Sequence, residues 1–267
     1  MTSIYLDYNS TAPPSPSVID YFRSDFGSLF ANPSSEHLLG KAVDEVLKGD
    51  RRKIAELLGA EPRQIVFTSG GTESINSVLS GGLIRHLGVE KIVSSQLEHH
   101  ATLACLKRTE VPVEWIANDG QGQLDLDHLS KVLNASGPAL VTLLHVNNET
   151  GVVHPISEIA KMVKAHRGFL HVDGVQAPGK VEFTLERLGA DFVSLSGHKF
   201  GALKGIGVLF VRDRSKFEPL IVGGGQEHGL RAGTTPIDLI RSLRLALEDC
   251  RPEVIRQVTE LREYFES

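Results

Sequence analysis

The strongest constraint on the fold is an alternation of short apolar runs with longer segments of helical periodicity. The runs cover residues 64–68, 91–95, 111–116, 139–146, 169–173, 191–196 and 205–211. Several are rich in Val, Ile, Leu and Phe without polar alternation, which is typical of parallel strands covered on both faces. An amphipathic segment at 36–58 precedes the first run, another at 155–166 lies between two runs, and both end near a glycine. The pattern predicts an α/β fold with a mostly parallel seven-stranded sheet and helices on both faces.

The chain divides best into one large domain with a short segment at either end. Its 267 residues suit one large domain or two small ones. No linker-like stretch separates the runs, so one domain is favoured over two smaller α/β units. We expect an N-terminal segment over 1–14, the large domain over 15–235 and a helical segment over 236–267. Pro252 lies in the middle of that last segment and predicts a kink or break there.

Charge and cysteine content narrow the class of protein. The net charge of −5 gives no reason to expect a nucleic acid or an acidic membrane as a partner. No stretch approaches the length of a membrane span, and the N-terminus lacks the basic and apolar regions of a signal peptide. The two cysteines, Cys105 and Cys250, are far apart and have neither metal-ligand spacing nor a disulfide framework. We therefore expect a soluble protein of a reducing cytoplasm, with no metal site.

Polar residues follow five of the apolar runs at the point where each run ends. They are Ser69-Gly70-Gly71-Thr72, Glu98-His99-His100, Asn147-Asn148-Glu149, Asp173 with Gln176, and Ser196-Gly197-His198-Lys199. Taken singly, each has an ordinary structural explanation as a turn, a helix cap or a surface charge. Ligands of α/β sheets bind at the carboxyl ends of the strands, so we expect these side chains to share one edge of the sheet.

This set of residue types suits pyridoxal 5'-phosphate (PLP). A glycine-rich turn that feeds a helix, predicted over 73–86, offers free N–H groups to a phosphate, and Thr72 adds a hydroxyl. Ser196 and His198 add two further donors for the same anion. A buried carboxylate such as Asp173 keeps the pyridine nitrogen protonated, and Lys199 forms a Schiff base with the aldehyde. The residues therefore predict a PLP site.

Eight stretches, in order and over nearly the whole chain, resemble one family. They are YLDYNSTAP (5–13), NPSSEH (32–37), IVFTSGGTES (65–74), LEHHA (97–101), HVNNETGVV (145–153), HVDGVQAPGK (171–180), SLSGHKFGALKGIGVLFV (194–211) and GGGQEHGLRAGTTP (223–236). The sequence resembles the NifS/IscS-like cysteine desulfurases, which are class-V aminotransferase-family enzymes of PLP fold type I. The resemblance implies that the domain over 15–235 binds PLP.

The resemblance also implies a role for each site residue. Lys199 and His99 would be catalytic, as the Schiff-base lysine and as an acid or base stacked on the cofactor ring. The cofactor-binding residues would be Gly71, Thr72, His99, Asn148, Asp173, Gln176, Ser196, His198, Lys199 and Thr234. Within that set Gln176 would lie near the phenolic oxygen of the ring. Thr234 would reach the phosphate of a partner subunit, which makes a homodimer the expected assembly.

The sequence departs from the family at its C-terminal side. Family members continue past the helical segment 236–267 into a small domain that carries a mobile loop. A cysteine of that loop takes the sulfur of substrate L-cysteine as a persulfide, and an arginine binds the substrate carboxylate. This sequence has no such loop. Cys105 is predicted to lie in a helix and Cys250 in the C-terminal helical segment, so both are expected to be structural.

Three interpretations of function stay open on the sequence. The first is the cofactor domain of a cysteine desulfurase, which converts L-cysteine to L-alanine and passes the sulfur to a cysteine persulfide and then to an acceptor protein. The second is a short PLP-dependent lyase that acts on a similar amino acid, such as a selenocysteine-lyase-like enzyme. The third is a catalytically silent PLP-binding dimer that serves as a scaffold for another protein.

Overall fold

The computed structural model describes residues 4–135 and 137–267, in which strands and helices alternate along the chain. The strands are β1 (Ile65–Thr68), β2 (Lys91–Ser95), β3 (Val113–Ile116), β4 (Ala139–Leu144), β5 (Phe169–Asp173), β6 (Phe192–Ser196) and β7 (Gly207–Val211). The helices are α1 (Pro16–Ser24), α2 (Leu38–Leu58), α3 (Gly71–Val78), α4 (Gly81–His86), α5 (His100–Leu106), α6 (Leu126–Asn134), α7 (Ile156–Ala165), α8 (Leu185–Leu188), α9 (Ile237–Asp249) and α10 (Pro252–Glu266). Each predicted run contains one strand.

The seven strands form one sheet in the order β1-β7-β6-β5-β4-β2-β3. Strand β7 runs antiparallel to both of its neighbours, and all other pairs are parallel. Strands β1 to β6 therefore end at the same edge of the sheet, and β7 begins there. The predicted α/β fold with a mostly parallel sheet is confirmed. The apolar run of β7 gave no sign of its reversed direction, because a buried strand has the same composition in either orientation.

Apolar side chains pack on both faces of the sheet. On one face the fully buried Ile54 of α2, Val163 of α7 and Leu243 of α9 belong to one cluster. On the other face Ile75 of α3 and Leu83 of α4 belong to a second cluster. Helices thus cover both faces, as the unbroken apolar composition of the strands predicts, and the sheet edges are left to carry polar groups.

Two helix predictions differ in detail from the structure. The helix predicted over 73–86 is two helices, because the Ser80 hydroxyl accepts a hydrogen bond from the Leu83 N–H and caps a second start. The break predicted at Pro252 is present, since α9 ends at Asp249 and α10 begins at Pro252. Cys250 lies in that break rather than within a helix, because it is the C-cap residue that follows α9. Cys105 lies in α5, as predicted.

The two C-terminal helices differ in how they pack. Helix α9 contributes Ile240, Leu243 and Ala246 to the core, whereas α10 buries none of its residues. The domain boundaries at 14 and 235 stay predictions. Within the described ranges no helix is both long enough and apolar enough to cross a membrane.

Candidate active site

A cavity of about 200 Å³ opens at the edge where β1 to β6 end. It is lined by Gly71, Thr72, Ile75, His99, Leu144, Asn148, Asp173, Val175, Gln176, Ser196, His198 and Lys199. Every site residue proposed from the sequence is therefore part of one cavity, with the exception of Thr234. Thr234 is exposed outside this cavity, and its role toward a partner subunit stays a prediction.

The glycine-rich turn after β1 is shaped by close backbone approach. A Cβ atom on Gly207 would lie 2.6 Å from the Cα atom of Gly70, and one on Gly71 would lie 2.7 Å from a methyl group of Val175. Side chains at Gly207 or Gly71 would therefore displace the turn or its neighbours. Helix α3 starts at Gly71, and the first N–H groups of a helix have no partner within it. This turn can hold an anion such as a phosphate.

The turn is fixed from outside the cavity by an ion pair. The Glu73 carboxylate accepts a hydrogen bond from the Ser69 N–H at 2.8 Å and pairs with the Arg231 guanidinium at 2.9 Å. The pKa of Glu73 is lowered by these contacts, despite the opposing effect of burial. The Glu73 carboxylate therefore binds Ser69 and Arg231 and does not occupy the first N–H groups of α3, which can bind a ligand anion.

Asp173 lies at the end of β5 and is only 2 % exposed. Its carboxylate accepts one hydrogen bond, from the Val175 N–H at 3.0 Å. Burial raises the pKa of Asp173 to about 6, and the positive charge of Lys199 acts in the opposite direction. A carboxylate so placed is stabilised by a cation in the cavity, which the protonated nitrogen of a pyridine ring would supply.

Lys199 lies in the short turn that follows β6. Its ammonium group donates a hydrogen bond to the backbone carbonyl of Asn9 at 2.7 Å. Burial lowers the pKa of Lys199, and the carboxylates of Asp173 and Asp7 partly oppose that shift. The direction suits an amine that has to lose its proton before it reacts with an aldehyde.

His99 is the N-cap of α5 and combines a structural contact at one ring nitrogen with a second ring nitrogen that has no hydrogen bond among the described residues. Its Nδ1 atom accepts a hydrogen bond from the Ala101 N–H at 3.1 Å, so the proton of the neutral ring belongs on Nε2. Burial, followed by the charges of Lys199 and His100, lowers the pKa of His99. The neutral imidazole is thus available as a donor at Nε2, and the ordinary interpretation as a helix cap is also correct.

Asn147 and Asn148, which follow β4, differ in what they contact. Asn147 is buried and holds a turn, because its amide oxygen accepts from the N–H groups of Glu149 and Thr150. Its amide nitrogen donates to the Leu97 carbonyl at 2.9 Å and so positions the segment that carries His99. Asn148, in contrast, lines the cavity.

Residues of the N-terminal segment contact three cavity residues, which was not predicted. Besides Lys199, the Asn9 carbonyl accepts a hydrogen bond from Nε2 of Gln176 at 3.0 Å. The hydroxyl of Thr11 contacts Nδ1 of His198 at 3.1 Å. Every residue has a backbone carbonyl, so residue types alone could not predict that the carbonyl of Asn9 would accept these hydrogen bonds. For Thr11, the stretch YLDYNSTAP was the available signal.

Neither thiol of the chain is chemically activated. Burial raises the pKa of Cys105, with a smaller opposing effect from Arg108. Burial, with the nearby charge of Asp249, raises the pKa of Cys250 to about 11. Because the thiolate is the reactive form, the raised pKa makes both thiols less reactive, in agreement with a structural role.

Comparison with known proteins identifies the family. Residues 4–262 match the family described as Aminotransferase class-V. A cysteine desulfurase of Trichormus azollae is 41% identical over 251 residues, which cover 93% of this chain and 62% of the relative. A solved NifS-like protein has a TM-score of 0.89 at 32% identity, over 95% of this chain and 71% of that chain. A structure described as SspA in complex with cysteine has a TM-score of 0.88 at 35% identity, over 99% and 78%.

The chain spans about 62% of the length of the first curated relatives that it matches. The resemblance to NifS/IscS-like cysteine desulfurases and the PLP fold type I are confirmed. The cavity also fits the cofactor: a buried carboxylate with no ion pair among the described residues, an amine of lowered pKa and a glycine turn at a helix start meet in it. The chain belongs to the class-V aminotransferase family, whose members depend on PLP.

Proposed function

We propose that PLP binds in the cavity at the edge of the sheet with Lys199 as the residue that links to its aldehyde. The observation that carries the proposal is that the Lys199 amine, the buried Asp173 carboxylate and the turn at Gly71 and Thr72 line one cavity. The turn would bind the phosphate together with Ser196 and His198. Asp173 would face the ring nitrogen, and Gln176 the phenolic oxygen.

We further propose that a protein containing this chain is a cysteine desulfurase. In that reaction the carbon–sulfur bond of L-cysteine breaks, the sulfur passes to a cysteine thiolate as a persulfide, and a proton replaces it to give L-alanine. The proposal is supported by relatives named cysteine desulfurase and by the solved neighbour in complex with cysteine. We further propose that this protein forms a homodimer, passes the sulfur to an acceptor protein and is located in the cytoplasm.

When bound, PLP supplies an electron sink for the bonds at the substrate α-carbon. Lys199 would take the proton from that carbon once its amine is free. His99 would give a proton from Nε2, which its helix-capping contact at Nδ1 leaves available. Asp173 would keep a proton on the ring nitrogen, because a buried carboxylate is stabilised by the adjacent cation.

Sulfur transfer itself is not proposed for Cys105 or Cys250. Both are predominantly thiols at neutral pH, because burial raises the pKa of each. For the chain as it stands we propose cofactor binding and proton removal from the substrate, with the persulfide step dependent on a cysteine outside it. The raised pKa values of both thiols also favour a second candidate, a PLP-binding dimer without sulfur transfer.

The test is to add PLP to the purified chain and to trap the link with borohydride. We expect a visible absorption band and, after proteolysis, a pyridoxyl group on Lys199 by mass spectrometry. Lys199→Ala should abolish both, whereas Lys204→Ala, a matched lysine outside the cavity lining, should retain them. Binding of PLP without modification of Lys199 would refute the proposal.

A second measurement separates the candidate functions. In deuterium oxide, the PLP-loaded chain should exchange the α-proton of L-cysteine, and Lys199→Ala should not. Mass spectrometry should find no persulfide on Cys105 or Cys250. Failure of exchange with intact PLP binding would favour the silent dimer over the desulfurase domain.

A further inference from the structure

A second lysine, Lys180, lies beside the cavity at the end of a turn that returns the chain to Gln176. The Lys180 N–H donates to the Ala177 carbonyl at 3.1 Å, which closes the turn. Gly179 has a φ of +72°, and a Cβ atom there would lie 3.0 Å from the sulfur of Cys250, so a glycine is needed at this point. The turn leaves the Lys180 ammonium in contact with the Gln176 side chain.

The orientation of the Gln176 amide is fixed from both ends. Its Oε1 atom accepts a hydrogen bond from the Lys180 ammonium, and its Nε2 atom donates to the Asn9 carbonyl at 3.0 Å. An ammonium group can only donate and a carbonyl can only accept, so both neighbours require the same orientation of the amide. Gln176 is 4 % exposed, which leaves little water to compete for either contact.

These contacts form a continuous chain from Lys180 to the reactive lysine. The Asn9 carbonyl that accepts from Gln176 also accepts from Nζ of Lys199 at 2.7 Å. The NH2 group of Gln176 therefore points to the same place as the Lys199 amine. Any acceptor that replaces the Asn9 carbonyl there meets both donors.

We propose that Lys180 is a positioning residue that holds the Gln176 amide with its NH2 group directed to the Lys199 side of the cavity. The ammonium makes the reverse orientation unfavourable, because it would then face the NH2 group of the amide. A hydrogen bond from a charged donor also polarises the amide and strengthens the bond that Nε2 donates. Where the ligand is PLP, which rests on the function proposed above, Gln176 would offer this donor to the anionic ring oxygen.

A simpler role for Lys180 would be that of one more positive charge near the site. Burial, followed by the charge of Lys199, lowers the pKa of Lys180 to about 8, so the charge is present at pH 7. Lys204 offers a matched control, because its charge also acts on the cavity residue His198. A general effect of charge predicts similar consequences for both lysines, whereas positioning through Gln176 predicts a consequence for Lys180 alone.

The first experiment uses the chain without PLP, labelled with 15N at the side-chain amide of glutamine. The Gln176 signals are assigned by their loss in Gln176→Leu. We expect these signals to move toward the positions of a free glutamine and to exchange faster with solvent in Lys180→Met. They should stay near their wild-type positions in Lys180→Arg and Lys204→Met. Unchanged Gln176 signals in Lys180→Met would overturn the proposal, and Lys180→Gln replaces that variant if it does not fold.

The second experiment measures PLP affinity by the visible absorption band. Loss of one hydrogen bond from a charged donor predicts binding about tenfold weaker in Lys180→Met. Lys180→Arg should recover most of the affinity, and Lys204→Met should stay within about twofold of the wild type. Equal losses in Lys180→Met and Lys204→Met would overturn positioning in favour of charge. If the wild type binds no PLP, the proposed function fails, while the amide signals still decide the role of Lys180.

Discussion

Two of the regions in which charged side chains are buried lie beneath β1 and at the carboxyl edge of the sheet. Beneath β1 the Arg51 guanidinium donates two hydrogen bonds to Glu227, at 2.6 and 2.9 Å, and Glu227 also accepts from the Phe67 N–H. At the sheet edge Asp173 accepts a single backbone hydrogen bond, and the ammonium of Lys199 donates to a carbonyl rather than to a carboxylate. The first region completes its ion pair, whereas Asp173 in the second has no ion pair among the described residues.

The difference separates a region that holds local structure in place from a region that can bind a ligand. A buried ion pair with all of its hydrogen bonds made holds its surroundings in one arrangement. In this case it joins α2 and the loop around Glu227 to β1, whose end carries the glycine turn. A buried carboxylate without a cation is unfavourable for the folded state, and such groups cluster at functional sites. The two regions should therefore respond to neutralisation with opposite changes in stability.

The largest effect is expected from Arg51→Ala. The change leaves the carboxylate of Glu227 buried without its partner and removes the guanidinium that lies 4.4 Å from the ring centre of Phe67. We expect the free energy of unfolding to fall by about 3–5 kcal/mol, measured by urea denaturation. Arg85→Ala, which breaks an exposed pair with Glu110, should change stability by less than the accuracy of the measurement. A small loss in Arg51→Ala would mean that the pair beneath β1 is not what secures the turn.

Asp173→Asn should have the opposite sign in the chain without PLP. The folded pKa of Asp173 is about 6, above the value of 3.8 for an unperturbed aspartate, so the folded state binds the proton more tightly than the unfolded state. Wild-type stability should therefore fall, relative to the variant, as the pH rises from about 4 to about 6. The shift corresponds to an advantage of about 3 kcal/mol for Asp173→Asn above pH 6.

Denaturation of both proteins across this pH range checks the prediction. Asp213→Asn is a matched control, since hydrogen bonds from Ser215 lower the pKa of Asp213. Because the stability contribution of a lowered pKa changes only below the ordinary aspartate pKa, the difference between the wild type and Asp213→Asn should stay nearly constant across this range. If Asp173→Asn were no more stable than the wild type at pH 8, the ionised Asp173 carboxylate would not destabilise the folded chain.

How well the sequence predicts each region depends on whether its features are visible in residue types or follow from backbone geometry. The sheet edge was predictable, because strand ends, glycine turns and titratable residue types are all visible in the sequence. Asp173, Lys199 and His99 share the cavity as expected. Lys180 was visible only as part of the stretch HVDGVQAPGK, since its contact depends on the conformation of Gly179. Side-chain orientation of that kind follows from backbone geometry, which residue types describe poorly.

The region beneath β1 was not predicted at all. Arg51 and Glu227 are 176 residues apart, and an arginine in an amphipathic helix is normally taken as solvent-exposed. Glu227 also has a positive φ of 48°, a backbone conformation that is expected for glycine or asparagine and not for glutamate. Long-range pairing of two charges becomes apparent only when the sheet has brought α2 and the loop to the same strand.

The smallest effect concerns the interaction between the two charges at the sheet edge. Lys199 favours the ionised form of Asp173, so Lys199→Met should raise the pKa of Asp173 further. The stability difference between Lys199→Met and the double variant with Asp173→Asn should then keep growing to a higher pH than in the wild-type background, by up to about one pH unit, while its onset near the ordinary aspartate pKa stays the same. Denaturation of the four proteins across pH 4–8 measures the shift. An identical pH range in both backgrounds would mean that Asp173 does not respond to the charge of Lys199, and that the sheet edge holds two independent groups that have no influence on each other until a ligand connects them.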